Sequence, residues 1–208
     1  MSLSLHAPEA KDLIITNMLK HVPKLGWTSD ALRHAVVDTG FAEQDAQRVF
    51  LGNIEHALEY YLGMIDRQME EKLTEINLPS MRTKDRIATA IMVRLRLVEE
   101  HKEAVRKSLI YLSVPTRSSL ALRSLYNTVN AIWYAAGDKS TDFNFYTKRA
   151  LLAGVYSAAL LYWLEDSSED SIATRAYINR RLDQVMMIPT AKQRVTEAVK
   201  LFFKPFFS

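Results

Sequence analysis

Gly137-Asp138-Lys139-Ser140-Thr141-Asp142-Phe143-Asn144-Phe145-Tyr146-Thr147-Lys148-Arg149 separates two strongly apolar segments, residues 120–136 and 150–164. Gly137 readily takes the left-handed conformation that closes a helix, and Ser140, Thr141 or Asp142 supplies an oxygen to cap the first amides of the next. The stretch therefore reads as a corner between two helices. On the second helix Phe145, Tyr146 and Arg149 fall at i, i+1 and i+4, and Phe145 and Arg149 share a face with Asp142 one turn back. An acid, two aromatics and a guanidinium within two turns have the composition of a polar-rimmed aromatic anchor for a partner. A solvated first turn with two core aromatics has the same spacing, and spacing alone favours it.

Outward from the corner the pattern stays helical. Only six Gly and six Pro occur in 208 residues, which disfavours a turn-rich β chain and predicts an all-α fold of about nine or ten helices. Apolar residues make up 48% and charged residues 25%, the profile of a globular domain able to bury a substantial core. Cysteine is absent, so disulfides and Cys-ligated zinc are excluded. Residues 1–8 form neither a secretory signal nor an Arg- and Ser-rich transit leader. That predicts a bacterial cytoplasmic protein with no targeting sequence, or an already processed one. Residues 150–164 are too short for a transmembrane helix and read as a buried one.

In chain order, Ile15, Met18, Leu19, Val22 and Leu25 mark a first helix, and Thr28 or Ser29 caps a second carrying Ala31, Leu32, Ala35 and Val36. A third is predicted from Phe41 to Leu51, closed by Gly52, which gives residues 1–52 the layout of a helix-turn-helix head. A DNA reader needs cations or amides on its recognition helix. Here Glu43 and Asp45 open that helix, Arg48 is its one cation, and residues 1–60 carry a net charge of −3. Such a head repels phosphate, so it is read as structural and no nucleic acid is expected.

Ile54, Leu58, Tyr61, Ile65, Met69 and Leu73 form the buried stripe of the next helix. Residues 84–112 give one long helix or two consecutive ones, with Ile87, Ile91, Leu95 and Val98 inside. Arg86, Arg94, Arg96, Lys102, Arg106 and Lys107 are read as largely outside. Leu122, Leu125, Val129, Ile132 and Trp133 define the helix that enters the corner. Residues 150–164 are apolar on nearly every side, as in a helix packed on more than one face or lining an apolar cavity. Residues 167–170 turn the chain into a helix with Ile172, Ala176, Leu182 and Val185 inward, ending at the adaptable Met186 and Met187.

Pro189 opens a last segment in which Ala191, Val195, Ala198, Val199, Phe202 and Phe206 fill one arc, with Phe203 and Phe207 widening it. Lys192, Lys200 and Lys204 lie opposite or at the edge. Residues 190–208 carry +3 and four of the eight Phe, the pattern of an amphipathic helix lying on a membrane surface. A helix docked on the core is the competing reading.

Catalytic chemistry is sparse. The five His make neither a His-Glu-x-x-His nor a Glu-x-x-His pair, and the six Gly are isolated, with no phosphate-cradling loop. No enzyme activity, cofactor or metal site is expected.

The run from Ala136 to Ala153, followed by Tyr156 and then Glu165-Asp166-Ser167-Ser168, resembles the signature of the Coq-nine family of ubiquinone-biosynthesis lipid-binding proteins. The resemblance implies a TetR-regulator-like fold whose DNA-binding role is lost. It also implies binding of an isoprenoid quinone precursor and its presentation to the di-iron hydroxylase that acts on demethoxyubiquinone. Carried over residue by residue, the partner-binding patch is Ile132, Asp142, Phe145, Tyr146 and Arg149. The family commonly has Trp at Phe145 and Arg at Lys148; Phe145 keeps an aromatic anchor but lacks the indole N–H donor. The expected lipid-binding residues are Trp133, Leu152, Tyr156, Leu160, Trp163 and Met186, within a body spanning 53–189. The membrane-binding residues of 190–208 are Lys192, Val195, Val199, Lys200, Phe202, Phe203, Lys204, Phe206 and Phe207, and the resemblance adds affinity for anionic lipid. Together these predict a protein held peripherally at the bacterial inner membrane, and a homodimer by analogy with TetR-like folds. A ligand-responsive transcriptional repressor and a ligand-free peripheral scaffold are the competing functions.

Overall fold

The structure, a computed structural model, describes residues 4–138 and 143–186; the side chains of residues 143–145 and of Met186 are outside the description. Among the described residues there are eight α-helices, several short 3-10 turns and no strand. The chain divides into two compact units, residues 1–149 and 150–208, and the division falls inside one helix.

In the first unit, α1 (Pro8–Leu25) begins with proline at its first turn, where no N–H is needed, and closes at Gly26 with φ +69°. Trp27 follows, buried, with Nε1 donating to the Ala104 carbonyl at 3.3 Å and its ring tilted against Tyr61. α2 (Ser29–Asp38) is capped by the Thr28 hydroxyl, which accepts from the Ala31 amide. It packs along α1 through Ala31, Leu32, Ala35 and Val36, all buried.

The helix expected from Phe41 to Leu51 is absent. Two 3-10 turns, Glu43–Gln47 and Val49–Gly52, stand there, and Phe50, Leu51 and Gly52 all have left-handed φ (+52°, +55° and +62°). The left-handed turn buries the adjacent Val49 and Phe50 and leaves Leu51 79% exposed. Phe50 is held by the Tyr60 ring at 5.3 Å and by His56, whose Nδ1 meets its carbonyl.

α3 (Ile54–Thr74), capped by the Asn53 side chain, buries the whole predicted stripe from Ile54 to Leu73. Its Tyr60 hydroxyl donates to the Asp12 carboxylate at 2.7 Å; burial, and then that carboxylate, push the phenol up to about 12. Residues 84–112 resolve into two helices, α4 (Thr83–Arg96) and α5 (Lys102–Leu112), separated by a 3-10 turn. Arg94 is not on an outer basic face. It is 4% exposed, with Nε 2.7 Å from Asp66 Oδ1 and Nη2 3.2 Å from the Thr128 hydroxyl, which itself donates to Asp66. The three side chains join α3, α4 and α6 (Ser118–Ala135) through one buried polar cluster. On α6 the inward row is Leu120, Val129, Ile132 and Trp133, whereas Leu122 is 67% exposed.

α7 (Phe143–Glu165) runs from the first unit into the second, where α8 (Ile172–Met186) follows. At the turn between them Asp166 accepts from the amides of Ser168 and Thr174 and from the Thr174 hydroxyl. Burial opposes its charge, but these hydrogen bonds outweigh that and hold the carboxyl well below its usual range. The Tyr162 and Tyr177 rings stack at 4.4 Å, joining α7 to α8. On α8 the buried residues are Thr174, Ile178 and Leu182; Leu182 faces inward as expected, whereas Ile172 and Ala176 are exposed. No described helix is long and apolar enough to cross a membrane.

Candidate functional site

The corner between α6 and α7 lies in the first unit. α6 closes with two bonds of a Schellman cap: the Gly137 amide donates to the Tyr134 carbonyl at 2.9 Å and the Asp138 amide to the Trp133 carbonyl at 3.0 Å. Gly137 takes φ +85°, as the sequence predicted. Arg86 braces this end from α4. Its Nη1 donates to the Ala136 carbonyl at 3.2 Å, while Nε and Nη2 donate to the carbonyls of Met81 and Pro79.

Asp138 then turns its carboxylate, 6% exposed, onto the first turns of α7. Oδ1 accepts from Lys148 Nζ at 2.8 Å and Oδ2 from Arg149 Nη1 at 3.2 Å. Arg149 Nε donates to Asn130 Oδ1 at 2.8 Å, and the guanidinium lies over the Tyr134 ring, 5.7 Å from its centroid. Trp133 Nε1 donates to the Lys148 carbonyl while the Lys148 ammonium lies 5.5 Å over the Trp133 ring. The last two turns of α6 and the start of α7 are thus locked by charge-assisted hydrogen bonds and cation–π contacts.

This geometry separates the residues expected to face a partner. Arg149 is 3% exposed and Ile132 fully buried, so both support the surface from within and neither is open to a partner. Tyr146 is 69% exposed. Asp142 and the Phe145 side chain lie outside the described residues. Of the expected lipid-binding residues, Trp133, Leu152, Tyr156, Leu160 and Trp163 are all buried, and the Met186 side chain is not described. Residues 190–208, with every expected membrane-binding side chain, also lie outside the described residues.

Sequence reasoning missed Asn130, Tyr134, Asp138 and Arg86. A signal existed for three of them. Asn130 and Tyr134 stand one turn apart at the end of α6, and Asp138 is a carboxylate directly after the closing glycine, ten residues before a Lys-Arg pair. Arg86, fifty residues away, had none.

On α2 and the 3-10 turns, an open groove of about 940 Å³ is lined by Ser29, Asp30, Arg33, Glu43, Gln44 and Gln47 among others. Arg33 pairs there with Asp30 and Glu43. The position that a recognition helix would occupy is therefore a mixed, acid-bearing groove beside an irregular turn. Among the described residues no group of three His, Asp or Glu is placed to hold a metal ion.

Residues 118–189, which contain the corner, match the model of the COQ9 family. The likeness is to COQ9 proteins. The chain is 32% identical to the ubiquinone biosynthesis protein COQ9, mitochondrial, of Rattus norvegicus, over 86% of this chain and 60% of that protein. It is likewise 32% identical to the Homo sapiens COQ9, over 86% of this chain and 59% of that one. The Schizosaccharomyces pombe coq9 is 27% identical over 90% of this chain and 74% of its own length. The chain thus spans about 60% of the length of the rat and human COQ9 proteins it matches. Among solved structures, a TetR transcriptional regulator from Nitrosomonas europaea superposes with a TM-score of 0.69 over 86% of this chain and 99% of its own, at 15% identity. That likeness establishes the TetR-like fold alone.

The comparison corrects the expected location. The COQ9 relatives are named as mitochondrial proteins, which points to eukaryotic mitochondria rather than to a bacterial cytoplasm or inner membrane. The earlier expectation rested on residues 1–8, and these carry no such information in a chain that spans only part of its relatives.

Proposed function

We propose that this chain is a non-catalytic accessory protein of ubiquinone biosynthesis. It binds an isoprenoid quinone precursor in the apolar helical body, rests on the membrane through residues 190–208 and presents the precursor to the demethoxyubiquinone di-iron hydroxylase. The observation that carries the reading is the corner. The segment matching the COQ9 model contains the braced end of α6 and the start of α7, where Tyr146 is 69% exposed, an aromatic suited to anchoring a protein partner. The loss of the recognition helix supports the same reading over a repressor, because a major-groove reader needs a regular helix at that place.

The test is the quinone profile, by liquid chromatography and mass spectrometry, of cells lacking the protein and of cells carrying Tyr146→Ala. Accumulated demethoxyubiquinone with depleted ubiquinone is expected in both. An unchanged quinone pool in the deletion strain refutes the assignment.

A further inference from the structure

α7 carries no charged side chain from Ala150 to Leu164, and near the end of that run Leu161 is 60% exposed and Tyr162 39% exposed. The Tyr177 ring of α8 lies parallel to that of Tyr162, with 4.4 Å between centroids and 8° between planes. Arg180 and Arg181 stand one turn further along α8, both exposed, and their guanidiniums lie over the Tyr177 ring at 5.9 Å and 5.0 Å from its centroid. Arg181 also donates to Gln184 Oε1 at 3.0 Å, and neither arginine has a carboxylate partner among the described residues. A guanidinium stacked on a ring is held in place while its N–H groups stay open to an oxyanion. The tyrosines suit the same neighbour, because a ring with a hydroxyl at its rim belongs where apolar and wet surroundings meet.

Charge in the second unit is graded along α8. Glu165, Glu169 and Asp170 are exposed around the turn that precedes the helix, and Asp170 is about 15 Å along the axis from Arg180. The last two turns instead hold Arg180 and Arg181 against Asp183 alone. The chain keeps that basic end close to the segment assigned to the membrane. From Met186 to Thr190 there are four residue steps, at most ~14 Å when fully extended. A surface that carries residues 190–208 therefore lies within reach of the end of α8.

We propose that Arg180 and Arg181, with Tyr162 and Tyr177, form a membrane contact separate from residues 190–208. The two guanidiniums take the phosphates of anionic lipid headgroups, and the tyrosines lie at headgroup level. This inference rests on the reading that residues 190–208 lie on the membrane.

The experiment is co-sedimentation of the full chain with vesicles of phosphatidylcholine alone and of equal parts phosphatidylcholine and phosphatidylglycerol, with a thermal melt of each variant. Arg180→Gln/Arg181→Gln removes the charge and keeps a planar group near the ring; Arg180→Lys/Arg181→Lys keeps the charge; Phe202→Ser/Phe206→Ser tests the tail. A cation at an anionic surface is worth about fivefold in partitioning, so the glutamine pair should bind the mixed vesicles roughly thirtyfold more weakly. Its binding to phosphatidylcholine and its melt should be unchanged, the lysine pair should recover most of the loss, and high salt should erase the difference. A purely structural role would not depend on lipid charge or on salt.

Adsorption that the tail variant loses and the glutamine pair keeps on mixed vesicles overturns this inference and leaves the tail reading standing. The reverse pattern upholds this contact and refutes the tail. No adsorption by the unaltered chain to either vesicle overturns both, and an equal loss on the two vesicles refutes the phosphate contact. If the glutamine pair keeps its vesicle binding but loses calorimetric binding of inorganic phosphate, the arginines serve a soluble anion and the membrane contact is refuted. The same holds if the pair keeps its vesicle binding and changes only the molar mass measured by light scattering without lipid, which would place a second copy on this face.

Discussion

Replacing Gly137 by alanine tests the corner at its hinge. The residue sits at φ +85°, where an L side chain costs about 1–2 kcal/mol. The added Cβ would lie 3.1 Å from Arg86 Nη1, the atom that donates to the Ala136 carbonyl. Moving that guanidinium weakens a charge-assisted bond at the helix end, adding roughly 1 kcal/mol at this half-buried site. The sum, about 2–3 kcal/mol, corresponds to a Tm lower by roughly 4–12 °C for a chain of this size. Circular dichroism melts of Gly137→Ala measure it, with Gly137→Asn as a milder comparison because asparagine tolerates the left-handed region. In an Arg86→Ala background the same substitution should cost only the backbone part. An equal cost in both backgrounds would remove the Arg86 contact from the account, and no cost in either would refute the left-handed closure of α6.

Two further predictions concern stability. Arg94→Met leaves Asp66 buried without its cation and should cost about 3–5 kcal/mol in urea denaturation, most of it recovered in the double variant Asp66→Leu/Arg94→Met; a double variant no better than the single one refutes the pairing. Asp166 has a depressed folded pKa, so the stability it contributes is complete above its unfolded value near 4 and is lost as pH falls toward the folded value. The stability gap between the unaltered chain and Asp166→Asn should therefore narrow below about pH 4, and a gap constant with pH contradicts the cap geometry.

Local periodicity made most of the first unit legible. The α3 stripe from Ile54 to Leu73 and the closing role of Gly137 depend on neighbours within one or two turns, and both stand as read. What failed depends on distant partners. Arg94 looks like any helix-surface cation until Asp66, 28 residues earlier, is placed beside it. Arg149 fits an interface arginine equally well until Asp138 and Asn130 turn it inward. The α8 face was partly misjudged because Ile172 and Ala176 are as apolar as Ile178, and packing decides which of them is covered. In the stretch from Phe41 to Leu51 the apolar spacing suited a helix, but burying the adjacent Val49 and Phe50 with Leu51 outside required a backbone that no periodicity announces.

That stretch limits what protein engineering can recover from the scaffold. Grafting basic side chains onto residues 43–51 would correct the charge of the head without producing a rod that fits a major groove. Three consecutive left-handed residues, Phe50 to Gly52, reverse the helical sense where a reading helix would have to continue. A designer aiming at DNA would have to replace the backbone from Phe41 to Asn53, and with it the seat of Phe50 against Tyr60.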